Sequence, residues 1–242
     1  MAGITDAEFC LKLIPYGFDA VTLGGYNADE ETSRAGRLIA GRGRPEFDFD
    51  SSELKSIVES EASRIKDSFE VLVSVNLRAL YPEPIMQISS IREVDIVEIN
   101  AHCRQPEITS LGAGQAMLHY PEFLEDFTSE VVKGANAEVS VKIRGNVPGV
   151  DTVAITEMLD DLGVGYIHLD AMKPGEDRAD LELVGEVSQS LKNAVLIGNN
   201  SVRDLESADA MLAAGADAVS IARAAMPGRI DFNLREIRFN LD

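Results

Sequence analysis

The sequence holds no run of eighteen or more apolar residues, so no transmembrane helix is expected. Its first residues, MAGITDAEF, lack a basic segment and an apolar core, so no secretory signal peptide is expected. Internal repeats, low-complexity tracts and Pro/Gly/Ser-rich linkers are missing too, which leaves a single compact domain over residues 1–242. Cysteine is scarce: Cys10 and Cys103 stand alone, and without an export signal they are expected as free thiols rather than as a bridge. Basic residues are outnumbered, 22 Lys and Arg against 41 Asp and Glu, for a net charge of −19. Such an acidic surface opposes a polyanion unless the few cations are gathered in one place. No P-loop, nucleophile elbow or catalytic triad pattern occurs, and His102, Cys103 and His119 match no standard metal spacing. What remains, 45% hydrophobic and 26% charged, is an ordinary globular balance, and with neither a span nor a signal the chain is expected to be soluble and cytoplasmic.

Short β-branched or apolar runs alternate with longer amphipathic segments. Strands are expected at residues 20–23, 71–75, 96–99, 138–143, 166–169, 194–197 and 218–221. Helices are expected at 52–66, 84–91, 115–133, 150–162, 179–191 and 203–214. Asp50, Ser51 and Ser52 offer N-caps to the first helix, while Ser201 and Gly215 bracket the last. The strands read as continuous apolar runs, which indicates a parallel sheet covered by helices. With an eighth, short strand around residues 1–4, the pattern is that of a single (β/α)8 TIM barrel; an open doubly wound sheet is the alternative.

Barrel chemistry sits at the C-terminal ends of the strands, so each exit is informative. The stretch VEINAHCRQPEITSLGAGQAML carries an apolar strand into Asn100, His102 and Cys103, polar groups that cost free energy at a buried strand end unless used. The next strand, VSVKIRGNV, carries Lys142 and Arg144; YIHLDAMKPG carries His168 and Asp170. Then come Gly198-Asn199-Asn200-Ser201 and Ala222-Arg223. A lone cysteine is usually an inert small hydrophobe and Lys142 alone a snorkelling cation. Such groups on successive strand ends point instead to a catalytic mouth. The last two exits suit a phosphate, held by the backbone N–H groups of Asn200, Ser201, Ala222 and Arg223 with the Arg223 guanidinium adding charge. Flavin mononucleotide fits that cradle beside Lys142; a phosphorylated substrate is the alternative occupant. Gly112-Ala113-Gly114 is no dinucleotide fingerprint, being about ten residues past the strand and lacking a third glycine.

At these residues the chain resembles the dihydrouridine synthase family, FMN-dependent barrels that reduce uridine in tRNA. MAGITDAEF is similar to the family's opening Pro-Met-x-x-Val-Thr-Asp-x-x-Phe, beginning one residue late. Asn100 to Leu118 resembles Asn-x-Gly-Cys-Pro followed by Gly-x-Gly-x-x-Leu-Leu. VKIR resembles Val-Lys-x-Arg, His168 the His of His-x-Arg, IGNNSV the Asn-Gly-x-Ile, and VSIARAAM the Val-Met-x-Gly-Arg-Ala. The resemblance implies Cys103 as the acid protonating C5 of a uracil ring while flavin N5 delivers hydride to C6, with NADPH or NADH as reductant. Asn100 would orient substrate and flavin, with Lys142 also in the catalytic set. Met1, Ala2, Lys142 and His168 would bind the flavin, and Asn199, Asn200, Ser201, Ala222 and Arg223 its phosphate. Four features depart from the family. His102 and Arg104 replace Gly and Pro, Asp170 replaces an Arg, and Ser74 or Asn76 stands where a Gln is usual. The chain also stops at Asp242, so the C-terminal helical domain that helps grip tRNA is expected to be absent. The substrate is tRNA or a small pyrimidine; a dihydroorotate dehydrogenase-like flavoprotein and a non-catalytic flavin-binding barrel are the other readings.

Overall fold

A computed structural model describes residues 2–237. Seven parallel strands form one sheet in sequence order: β1 (Ala20–Asn27), β2 (Leu72–Arg78), β3 (Ile96–Ala101), β4 (Glu138–Arg144), β5 (Tyr166–Asp170), β6 (Val195–Asn199) and β7 (Ala218–Ser220). Helices α1 (Ala7–Leu13), α2 (Glu30–Gly41), α3 (Leu54–Lys66), α4 (Pro82–Ser89), α5 (Pro106–Thr109), α6 (Pro121–Gly134), α7 (Thr152–Asp161), α8 (Leu181–Ser190) and α9 (Leu205–Ala213) fill the connections. Among the described residues no helix is long and apolar enough to cross a membrane.

All seven expected strands form, but their composition differs from a run of apolar side chains. Residues of one parity are apolar and buried: Val73, Val75 and Leu77; Val97 and Ile99; Val139, Val141 and Ile143; Ile167 and Leu169. They pack with helix residues such as Val58, Ile65, Leu124, Val131 and Leu159 in one core cluster, each fully buried side chain contributing about 1.5–3 kcal/mol. Residues of the other parity are polar: Asn76 and Arg78, Glu98 and Asn100, Ser140, Lys142 and Arg144, His168 and Asp170. They meet one another across strands that are not neighbours. Glu98 of β3 reaches His168 of β5, and His168 reaches Ser220 of β7. Contacts that skip a strand require the sheet to curl, concave on the polar side.

Among the described residues the sheet has seven strands, without the eighth expected near the N-terminus. Residues 2–4 are a turn rather than a strand, and Thr5 makes one isolated antiparallel bridge to Gly24 of β1. Among the described residues β7 pairs with β6 and not with β1, so the architecture is a curled, seven-stranded part-barrel.

Helix boundaries have local causes. Asp50 and Glu53 form a capping box ahead of α3. The expected helix at 115–133 breaks in two, because Tyr120 (φ −129°, ψ 73°) leaves the helical region before Pro121, leaving a 3₁₀ turn at Gly114–His119 and then α6. Ser201 does not cap α9. Its φ of 55° is left-handed, whereas an N-cap needs an extended backbone, and Asp204 takes the role by accepting from Ser207 N at 2.8 Å. Gly215, with φ of 113°, ends that helix as expected.

One loop on the face opposite the strand exits rests on a single carboxylate. Asp160 is 2% exposed and accepts from the amides of Lys192, Asn193 and Ala194 at 2.8, 3.1 and 2.7 Å. Burial opposes its charge, but the three amides win and hold it below its ordinary value. A depressed carboxylate contributes stability above its unfolded value, about 3.9, and loses it as pH falls through the folded value. Asp160→Asn should therefore cost about 1–3 kcal/mol at pH 7. Urea unfolding at pH 7 and at pH 3 tests this: the gap between wild type and variant should shrink at the lower pH.

Candidate active site

The sheet register puts the candidate residues in rows. Asn100 pairs with Lys142, and Lys142 with His168, across β3, β4 and β5. One step further toward the exits, Arg144 pairs with Asp170, Asp170 with Asn199, and Asn199 with Ser220.

The inner row is organised by a carboxylate. Glu98, 2% exposed, accepts from Asn76 Nδ2 at 2.7 Å, Ser140 Oγ at 3.0 Å and His168 Nδ1 at 2.8 Å. A carboxylate only accepts, so Nδ1 of His168 carries the proton and Nε2 faces the Lys142 Nζ at 3.0 Å and the Ser220 hydroxyl at 2.7 Å. Burial alone would raise the Glu98 acid, but His168, Lys142 and Asn76 hold it well below the usual carboxylate range. Burial pushes Lys142 down from the ordinary lysine value against the pull of Glu98 and Asp170. It pushes His168 down as well, with Lys142 adding to the effect.

Asn100 ties this row to the cysteine. Its Nδ2 donates to Asn76 Oδ1 at 2.8 Å, while its Oδ1 accepts from the amides of His102 at 3.2 Å and Cys103 at 2.8 Å. The Cys103 carbonyl accepts from Gln115 N at 2.8 Å. Gly114, with φ of 62°, lies so close that a Cβ there would stand 2.4 Å from the same carbonyl. Gly114 thus closes the cysteine loop onto the 3₁₀ turn, and the half-buried Cys103 is held on both sides. Cys10 is free, remote in the core and pushed up to about 12 by burial.

Two of the departures from the family pattern are one contact. His102 Nε2 lies against the Asp170 carboxylate at 2.5 Å, with Arg144 Nη2 2.9 Å from the same nitrogen and 3.2 Å from the carboxylate. Asn200 Nδ2 donates to Asp170 Oδ1 at 2.6 Å. Burial pushes His102 down to about 4 despite Asp170, so the ring is neutral at pH 7. Burial would raise Asp170, yet His102, Arg144 and Asn200 hold it well below the usual range.

At the last two exits, Asn199 Nδ2 donates to Ser220 O at 2.9 Å and Oγ at 2.7 Å, and Ser201 Oγ to Asn200 Oδ1 at 2.8 Å. These side chains are engaged internally, which leaves the main chain to serve a ligand. It turns sharply there, through successive positive φ values of 98° at Asn200 and 55° at Ser201. Ala222 precedes a short 3₁₀ turn, Arg223–Ala225, and Arg223 is exposed with no ion pair among the described residues. Ala2 sits in the turn before Thr5, and Met1 lies outside the described residues.

The strand-exit reading missed a buried ion pair. Arg78 of β2 and Glu46 of the preceding loop meet through Nη2 and Oε2, their side chains 2% and 1% exposed. It also assigned no role to Glu98 or Ser220. Strict alternation in VNLR and VEIN was the available signal for Arg78 and Glu98; Glu46 carries none.

The family model for dihydrouridine synthase (Dus) matches residues 54–231. An uncharacterized protein of Methanocaldococcus jannaschii is 36% identical over 239 residues, covering 96% of this chain and 89% of the relative. tRNA-dihydrouridine synthase B of Pectobacterium carotovorum is 31% identical over 153 residues, 61% of this chain and 47% of the relative. That of Vibrio cholerae is 26% identical over 239 residues, 93% of this chain and 66% of the relative. The chain thus spans between about half and two thirds of these two synthases. Among solved structures, DHODH from Eimeria tenella in complex with ferulenol superposes with a TM-score of 0.56 at 12% identity. That match covers 74% of this chain and 60% of the other, and it speaks to the fold alone.

Asn100→Ala would orphan the His102 and Cys103 amides and the Asn76 carbonyl together. A loss of about 1–3 kcal/mol is expected, with faster amide exchange in peptides spanning residues 102–116. Hydrogen-exchange mass spectrometry checks this; unchanged protection there would mean Asn100 does not hold the loop.

Proposed function

The chain belongs to the dihydrouridine synthase family, and from that membership we propose that it is a flavin-dependent oxidoreductase reducing the C5=C6 bond of a uracil ring, with tRNA as substrate. The observation that carries this reading is the row Asn100, Lys142, His168 across three adjacent strands, with Cys103 on the loop that Asn100 holds.

Flavin mononucleotide is the proposed cofactor, and the donor set fits it. Lys142 and His168 are a cation and a neutral imidazole side by side at the strand exits, suited to the polar edge of the ring system. The sharp turn at Asn200 and Ser201 and the exposed Arg223 after Ala222 are suited to its phosphate. Asn199 supports that turn through Ser220. When bound, the flavin supplies the electron pair and the hydrogen that the ring takes up at C6; NADPH or NADH is the proposed reductant.

The chain's own residues do the rest. Cys103 gives its thiol proton to C5, a step in which a positioned acid contributes about 10²–10⁴-fold. Asn100 fixes the thiol's place through two amides. Glu98 fixes the His168 tautomer, which leaves Nε2 as an acceptor for Lys142 and keeps that ammonium directed to the mouth. The His102–Asp170–Arg144 contact pins the cysteine loop to β5 from the outer side.

Purified protein should be yellow and release flavin on denaturation; colourless protein would sink the reading. Reduced by NADPH, it should be reoxidised by unmodified tRNA; reoxidation by free uracil or dihydroorotate instead would move the substrate to a small pyrimidine. Cys103→Ala should retain the flavin and lose turnover by about 10²-fold or more.

A further inference from the structure

The function just proposed makes no use of Arg78, although its side chain is 2% exposed, among the most buried in the molecule. A buried guanidinium is costly unless paired, and a buried ion pair adds little stability over a well-packed apolar pair. The partners of Arg78 are few. Nη2 donates to Gly25 O at 3.2 Å and to Glu46 Oε2; Nη1 lies 3.3 Å from Glu46 Oε1 and 3.9 Å from Cys103 Sγ. Nε is buried with no partner. Apart from Glu46 and a backbone carbonyl, the thiol is the group that the guanidinium reaches.

We propose that Arg78 is a charge-stabilising residue for Cys103, its Nη1–H taking up the negative charge that appears on sulfur when the thiol gives its proton away. In that step the S–H bond breaks, its electron pair stays on sulfur as a thiolate, and a C–H bond forms at C5 of the ring. The ring's electron pair and its hydrogen at C6 come from the reduced flavin, and solvent later returns a proton to sulfur. Only this last use rests on the proposed function; the contact itself does not. Glu46 tempers the effect, since its carboxylate shares both Nη atoms and opposes charge on sulfur. The two residues therefore act on the thiol with opposite signs, which a merely structural ion pair would not do.

The test is the pH dependence of iodoacetamide alkylation of Cys103 in the full chain, read by peptide mass; Cys10, 3% exposed, stays silent. Arg78→Gln should slow alkylation at pH 7 about fivefold and displace the pH–rate curve to higher pH, while Glu46→Gln displaces it to lower pH. If Arg78→Gln alone fails to fold because Glu46 is left buried and unpaired, Arg78→Gln/Glu46→Gln carries the test. That double variant keeps a neutral, hydrogen-bonding pair and is read against Glu46→Gln: it should alkylate more slowly than Glu46→Gln, with its curve at higher pH. Coincident curves for wild type and Arg78→Gln, or for Glu46→Gln and the double variant where that carries the test, or displacement of Glu46→Gln in the same direction as Arg78→Gln, would overturn the proposal. The assay needs neither flavin nor substrate. Failure of the flavin reading would leave these displacements intact, and their absence would leave the flavin reading standing.

Discussion

The concave side of the sheet is organised around the buried carboxylate of Glu98. It receives hydrogen bonds from β2, β4 and β5 at once, through Asn76, Ser140 and His168. Leaving so buried a carboxylate short of one hydrogen-bond donor costs about 1–3 kcal/mol or more, so the three strands are held in one register by a single group. That constraint propagates outward. With Glu98 fixing His168, Nε2 can only accept, and the Lys142 ammonium is committed to it. With Asn76 committed to Glu98 through Nδ2, its Oδ1 is left to receive Asn100, and Asn100 in turn holds the cysteine loop. The site is thus one continuous network from the middle of β3 to Cys103.

A polar interior also explains why the sheet curls without closing on apolar contacts alone. In most barrels of this class the inner positions are filled by branched aliphatic side chains. Here the apolar parity faces the helices and supplies the core, while the inner parity supplies hydrogen-bonded and ionic contacts. Each inner charge has a partner: Lys142 and Glu98 through His168, Arg144 and Asp170, Arg78 and Glu46. The same pairing rule accounts for the departures from the family pattern at the mouth. A histidine in place of glycine and an aspartate in place of arginine would each disturb the site alone; together they are a direct contact.

Much of this was legible in the sequence, and the exceptions have physical causes. The seven strands fall where β-branched runs place them, yet most extend toward the mouth beyond the apolar run, because Asn76, Arg78 and Asp170 interrupt hydrophobicity without interrupting the strand. Helix α2 gave no strong signal, since its buried positions are Thr32, Ser33, Ala35, Gly36 and Ile39, small or polar residues that lack a hydrophobic stripe. The first strand was expected from barrel symmetry rather than from residues, and one bridge at Thr5 is what those residues form. Asn100, Lys142 and His168 were legible because strand register preserves sequence spacing. The Glu46–Arg78 pair was not, because a loop and a strand 32 residues apart meet only in the fold.

Pairing also bears on how an acidic chain would meet a polyanion. Cations with buried partners act at short range, since their fields are cancelled within a few ångströms and screened beyond about 10 Å. Among the described residues of the mouth, Arg104 beside Cys103 and Arg223 after β7 are exposed without an ion pair. Long-range attraction at the mouth therefore rests on these two, against a net charge of −19. The interior charges are suited to a different task, fixing the positions of the Cys103, His168 and Lys142 side chains at short range. On the proposed function, recognition and chemistry would fall to different cations, the exposed pair to phosphate and the buried set to the ring.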